Sequence, residues 1–389
     1  VSGFSSRLAW HAPRNRLSEA LAAHRDPVFD LTESNPTRAD LEYPARIVEA
    51  FHNPAILHYE PHPAGLSEVR SLVAQHEGVT RERIVLTSST SEAYAYLFKL
   101  LADPGDEVLV PRPSYPLFDF LARLESVRVT PYPLVYHGVW SIDFDALAAA
   151  ATPRTRALIV VNPNNPTGSF LKRDEFARLQ TFCADHRLAI ISDEVFSSYG
   201  FGVDPSRLTT LVDCGVITFC LNGFSKLCGL PQMKLAWIVL GGPVADRADA
   251  LARLEWIADT YLSVGTPVQC AAPVLLSEGM LVQQQIARRT QANFARLRQA
   301  VASSTCDLLH LEGGWYAVVR VPRVMTEEEW CLDLLQNESV LVQPGFFYDF
   351  TSEAFLVISL LTPPAVFVEG VRRLLGRVDV RASDPQPHL

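Results

Sequence analysis

Lys226 follows the apolar run 216–221 (VITFCL) and the loop Asn222-Gly223-Phe224-Ser225, which puts an amine at the end of a core segment. Desolvation there disfavours the charged form and leaves a nucleophile suited to forming a Schiff base with an aldehyde. Other loops carry groups that suit the rest of one flat, phosphorylated aldehyde. Asp193 directly follows the run 188–192 (LAIIS). An unpaired carboxylate behind a buried segment is costly; a protonated ring nitrogen would pair with it and act as an electron sink, whereas a helix cap is the plainer use. Asn165 lies in the dense turn Asn162-Pro163-Asn164-Asn165-Pro166-Thr167-Gly168. Its amide could donate to a ligand oxygen, though such sequences are often only turns. Tyr115, in Pro111-Arg112-Pro113-Ser114-Tyr115-Pro116, offers a ring to stack on a flat ligand or to pack. The hydroxyl cluster around Ser89 and Thr90 opens a helix, where hydroxyls and free N–H groups hold phosphate or simply cap. Lys234, eight residues after Lys226, is a point charge for that phosphate or a surface lysine.

Each of these residues follows a short apolar run, 84–86, 107–110, 157–161, 188–192 or 216–221, except Lys234, which begins the run 235–240. Helix-like segments alternate with the runs, notably 91–101 and 172–186, where Phe176, Leu179 and Phe182 recur at three-residue steps. That order predicts an α/β fold with a mostly parallel, helix-covered sheet. In such sheets ligands bind beyond the carboxyl ends of the strands, where these loops lie. After Pro267 the pattern turns to a long helical stretch through Ser303, then strand-like runs at 315–321 and 355–361, a smaller α+β domain. The division expected is 1–50 as an N-terminal segment joining the small domain, 51–270 as the large domain and 271–389 as the small one. Residues 381–389 read as a loose tail.

The chain has 389 residues, enough for two cores. Its net charge of −9 and pI near 5.6 argue against a nucleic-acid surface, which needs clustered Lys and Arg. Seven widely spaced cysteines without a Cys-x-x-Cys pair imply neither a disulfide framework nor a zinc site, and no metal is expected. The start, 1–16, lacks a signal-like apolar stretch, and no run is long enough to span a membrane. A cytoplasmic protein is expected.

Across nearly the whole chain the sequence resembles the fold-type I pyridoxal-phosphate aminotransferases. The most specific parts are Asn165-Pro166-Thr167-Gly168, Asp193-Glu194-Val195, and Ser225-Lys226 followed by Gly229-Leu230-Pro231, in the family's order. The resemblance implies that Lys226 forms an internal aldimine with pyridoxal 5'-phosphate and then shuttles a proton between substrate carbon and cofactor. It further implies that Asp193 binds the ring nitrogen, Asn165 the ring hydroxyl and Tyr115 the ring face, with Ser89, Thr90, Ser225 and Lys234 around the phosphate. Tyr59-Glu60-Pro61 with Gly65-Leu66 is similar to the segment whose tyrosine reaches the neighbouring subunit's phosphate, which implies a homodimer. Ser34-Asn35-Pro36 is similar to the substrate-covering loop, with Ser34 in place of its glycine.

Several positions depart from that pattern. Phe196 stands where most members have a tyrosine, Lys234 replaces the commoner arginine, Ser89 a glycine, and Gly223 lacks a common serine. The largest departure lies in 354–359, where Val357 occupies the place of the arginine that clamps the substrate α-carboxylate. Either Arg38 or Arg320 substitutes, or the substrate is unusual.

The expected function is transfer of an amino group from a small-molecule donor to a keto acid or other carbonyl acceptor. A pyridoxal-phosphate lyase or decarboxylase is the alternative, since one cofactor serves all these reactions. A ligand-sensing half of a transcription regulator would need a basic DNA-binding segment, and the acidic chain has no room for one before Thr32.

Overall fold

A computed structural model describes residues 3–8, 10 and 15–383. Parts of the expected N-terminal segment (1, 2, 9 and 11–14) and most of the expected tail (384–389) lie outside the described residues.

The larger of the sheets has eight strands. In spatial order they are Ile84–Thr87, Ala236–Gly241, Thr218–Gly223, Ala189–Asp193, Thr155–Val161, Glu107–Arg112, Arg128–Tyr136 and Trp140–Ile142. The strands from Thr218–Gly223 through Arg128–Tyr136 pair in parallel; Ala236–Gly241 runs antiparallel to both of its neighbours. Alternate residues feed two cores. Leu158 and Ile190 pack into one with helices Arg173–His186 and Ser67–Glu77, while Ile159 and Ile191 pack into the other with helix Thr90–Leu101. Burial on both faces is why these strands read as continuous apolar runs.

Two strands of this sheet were not expected, Arg128–Tyr136, which its prolines disguise, and the three-residue Trp140–Ile142. Residues 128–133 pair only with Glu107–Arg112, so Pro131 and Pro133 need no donor toward the far side; the Trp140–Ile142 strand pairs only with 134–136.

The smaller sheet is antiparallel, in the order Asp307–Leu308, Tyr316–Arg320, Phe355–Ser359 and Gln343–Pro344. Near the N-terminus, Phe29–Asp30 pairs in parallel with Val340–Leu341. The 36-residue helix Thr266–Val301 joins the two parts. Its first turns (Ala271, Ala272, Leu275) belong to the large core, and Leu297 and Val301 to the small one. The chain thus passes between the two cores inside this helix. The last helix runs to Ser383, and Arg381 is ion-paired to Asp333 at 2.5 Å, so 381–383 are ordered helix where a loose tail was expected.

Candidate active site

A cavity of about 710 Å³ opens at the carboxyl ends of the parallel strands, where the smaller sheet faces them. Its lining includes Thr90, Tyr115, Asn165, Asp193, Ser225 and Lys226, which gathers residues from five separate loops.

Lys226 lies in the short helix Phe224–Leu227 that closes strand Thr218–Gly223. The turn demands Gly223: a Cβ there would sit 2.6 Å from the Cβ of Ala236, its partner across the sheet. Tyr199 donates to the Lys226 carbonyl at 2.6 Å and fixes the backbone. The Lys226 amine lies 5.2 Å from the Trp315 ring centroid and 5.9 Å from that of Phe196. Burial lowers its pKa, and the charge of Asp193 opposes part of that shift.

Asp193 ends its strand at the cavity floor. Burial pushes its carboxyl up to about 6, against the Val195 N–H, the Tyr94 hydroxyl and the charge of Lys226, which favour the anion. Tyr94 donates to Oδ2 at 3.1 Å. Tyr94 carries no local mark of this role in the sequence, because an aromatic residue within an apolar helical stretch looks like core. The neighbouring Glu194 points elsewhere: Ser192 and the Leu211 N–H both donate to its Oε1 at 2.8 Å.

In the Asn162–Gly168 turn the asparagines divide their work. Asn162 donates to Leu208 and accepts from the Leu171 N–H. Asn164 donates to the Pro113 carbonyl at 3.0 Å and Thr167 Oγ1 at 2.9 Å, and accepts from Ser114 at 3.1 Å. It thereby ties the Tyr115 loop to the turn. Asn165 Oδ1 is buried without any partner. Gly168, at φ +66°, holds the turn against the smaller domain; a Cβ would come 2.3 Å from the Gly313 carbonyl.

Of the hydroxyl cluster, Thr90 and Ser91 line the cavity, as does Ser225. Ser89 caps helix Thr90–Leu101, its Oγ accepting from the Glu92 N–H at 3.1 Å. Ser34 lines the cavity too. Lys234 is exposed, in the left-handed region at φ 54°, and Tyr59 is exposed; neither lines the cavity. Arg38 is exposed, and Arg320 is paired on the surface with Asp307 at 2.6 Å; neither enters the lining. Tyr316, Gln343 and Tyr348, which no motif marks in the sequence, also line the cavity. Tyr316 and Gln343 come from strands of the smaller sheet and Tyr348 from the turn Gly345–Tyr348 that follows, whose approach to the large sheet no local pattern announces.

This donor set fits pyridoxal 5'-phosphate. It combines a desolvated amine, a buried carboxylate able to face a ring nitrogen, the Asn165 amide on the cavity lining, and hydroxyls at a helix start. Residues 27–374 match the family model described as aminotransferase class I and II. Glutamate-pyruvate aminotransferase AlaA of Escherichia coli (strain K12) is 25% identical over 360 residues, covering 88% of each chain. Alanine aminotransferase of Mycobacterium tuberculosis (strain CDC 1551 / Oshkosh) is 26% identical over 363 residues, 86% of this chain and 81% of that one. In fold, an alanine aminotransferase from Pyrococcus furiosus has a TM-score of 0.84 at 23% identity, covering 94% of this chain and 95% of its own. The chain therefore belongs to the aminotransferase class I and II family and is a pyridoxal-phosphate-dependent aminotransferase.

Proposed function

We propose that this cavity is the catalytic centre, with Lys226 as the residue that carries the cofactor and moves the proton. The observation that carries the reading is the burial of the Lys226 amine beside Asp193 in a cavity built from five strand-end loops. When bound, pyridoxal 5'-phosphate supplies an aldehyde that links to amines and a ring that accepts electrons. Lys226, its charged form disfavoured by burial, would take the proton from the substrate carbon and pass it to the cofactor side, the shift that transamination requires. The rings of Phe196 and Trp315 confine the amine and exclude water from it. Asp193, held by Tyr94, keeps a ring nitrogen protonated; Asn165 donates to a ring oxygen, and Tyr115 covers the ring face. Thr90, Ser225 and Ser89 hold phosphate at the helix start, joined by Lys234 and by Tyr59 from a second copy of the chain.

The working unit in this reading is a cytoplasmic homodimer. Exposed Leu57 and Tyr59 support an interface there, 85% and 72% accessible in the single chain. Among the described residues no helix is long and apolar enough to cross a membrane. The donor is a small-molecule amine or amino acid, and the acceptor a keto acid or other carbonyl compound. Relatives named for glutamate, pyruvate and alanine lend support to amino-group exchange over the lyase alternative.

The test is a titration of purified holoenzyme with single amino donors, without acceptor. Transamination predicts loss of the cofactor's visible band as its amine form accumulates, and recovery of the band when a carbonyl acceptor is added. Release of pyruvate or carbon dioxide with the band retained would establish a lyase instead.

A further inference from the structure

The substrate side of the cavity carries no charge of its own. Lys226 is the one cation, and Asp193 the one carboxylate, among the described residues that line it. One wall of the cavity is a face of the smaller sheet, which carries Tyr316 and Gln343. Across that sheet Val318 pairs with Val357, and Val357 pairs with Gln343; directly paired residues present their side chains on one face. Gln343 and Tyr316 on that face line the cavity. Val357 between them is fully buried, clustered with Trp140, Leu309, Val318 and Tyr348. Tyr348 donates to Gln343 Oε1, so the polar groups at this wall are a neutral amide and neutral phenols.

Arginines lie nearby without reaching in. Arg320 shares the face of Tyr316 but is four residues along the strand, about 13 Å away at the usual rise, and is committed to Asp307. Arg112 pairs with Asp349 at 3.2 Å. Arg289 donates to the carbonyls of Ala39 and Leu361. A carboxylate brought to the Gln343 wall would lose its water without gaining a guanidinium, which is unfavourable in a site of this depth. Aromatic surface is abundant instead, and much of it is uncovered: Tyr115 is 42% and Phe120 53% accessible at the cavity edge.

We infer that the carbon bearing the amino group in the preferred substrate carries no carboxylate, and that the enzyme interconverts a primary amine of apolar or aromatic body with its aldehyde or ketone. This rests on the aminotransferase reading and narrows it. The reaction balances without an external oxidant. The donor's C–N bond breaks and its carbon is oxidised to a carbonyl, while the acceptor aldehyde or ketone loses its oxygen, gains the nitrogen and is reduced by the same two electrons.

Two paired comparisons on the holoenzyme test it. In calorimetry, hydrocinnamamide should bind about tenfold more tightly than hydrocinnamate, which differs by its charge. Gln343→Arg should reverse that preference, and Val357→Arg should do the same if the fold accepts it. In spectral titration, phenethylamine should convert the cofactor at about tenfold lower concentration than phenylalanine. Equal or tighter binding of hydrocinnamate by the wild type, or phenylalanine acting at the lower concentration, overturns the inference and leaves the aminotransferase reading standing. Conversion by neither donor, while alanine or glutamate still converts the cofactor, also overturns the inference and leaves the aminotransferase reading standing; no conversion by any of the four overturns both.

Discussion

The phenol of Tyr94 donates to Oδ2 of Asp193 at 3.1 Å, from a helix that begins in the hydroxyl cluster of the same cavity. That bond links two parts of the site, the helix start proposed for phosphate and the carboxylate proposed for the ring nitrogen. A hydrogen bond to an ionised group contributes about 1.5–3 kcal/mol. Tyr94→Phe keeps the ring contacts with Phe98 and Phe118, at 5.9 and 5.5 Å, and removes only the donor. The cofactor dissociation constant should rise about tenfold, and the cofactor-free protein, which already makes this bond, should lose about 1.5–3 kcal/mol of stability. Equilibrium titration of the cofactor-free variant measures this, and an unchanged constant would place Tyr94 in the core alone.

Asn164 and Asn165 are adjacent and both buried, yet their substitutions should separate. Asn164→Ala strips partners from the Pro113 carbonyl, Thr167 and Ser114 and should cost about 3 kcal/mol of stability. Asn165→Ala removes an amide whose oxygen has no partner, so stability should move by under about 1 kcal/mol while cofactor affinity falls about tenfold. Denaturant unfolding of both variants, beside cofactor titration, distinguishes them; equal losses of stability would contradict the division of roles.

The contrast between these asparagines also marks what was legible in the sequence. The turn stood out because Asn, Pro and Gly crowd together after a buried strand, and Asp193 and Lys226 stood out because they end apolar runs. Those runs are continuous because both faces of the sheet are covered. The edge strand Arg128–Tyr136 hid behind Pro131 and Pro133. Tyr94 hid in an apolar helical stretch, and Tyr316, Gln343 and Tyr348 depend on how two distant sheets meet. Residues that face a ligand through tertiary packing leave no local period to read.

Burial raises the carboxyls of Asp193 to about 6 and Glu194 to about 7. With folded values above the unfolded ones, the folded chain keeps protons that the unfolded chain has already released. In the window from the ordinary carboxylate range up to about 6 to 7, stability of the cofactor-free protein should therefore fall as pH rises. Asp193→Asn removes one of these groups, so its Tm should drop less than that of the wild type between about pH 5 and about pH 7.5. Parallel pH dependence in the two proteins would show that Asp193 is not desolvated as described.

The central claim is that Lys226 holds the cofactor. Reduction of the holoenzyme with borohydride, followed by proteolysis and mass spectrometry, fixes any cofactor covalently to the lysine that carries it. The account predicts the reduced adduct on the peptide containing Lys226, and none in Lys226→Ala supplied with the same cofactor. An adduct on Lys234 or another lysine, or no adduct from a holoenzyme with its visible band intact, would contradict it.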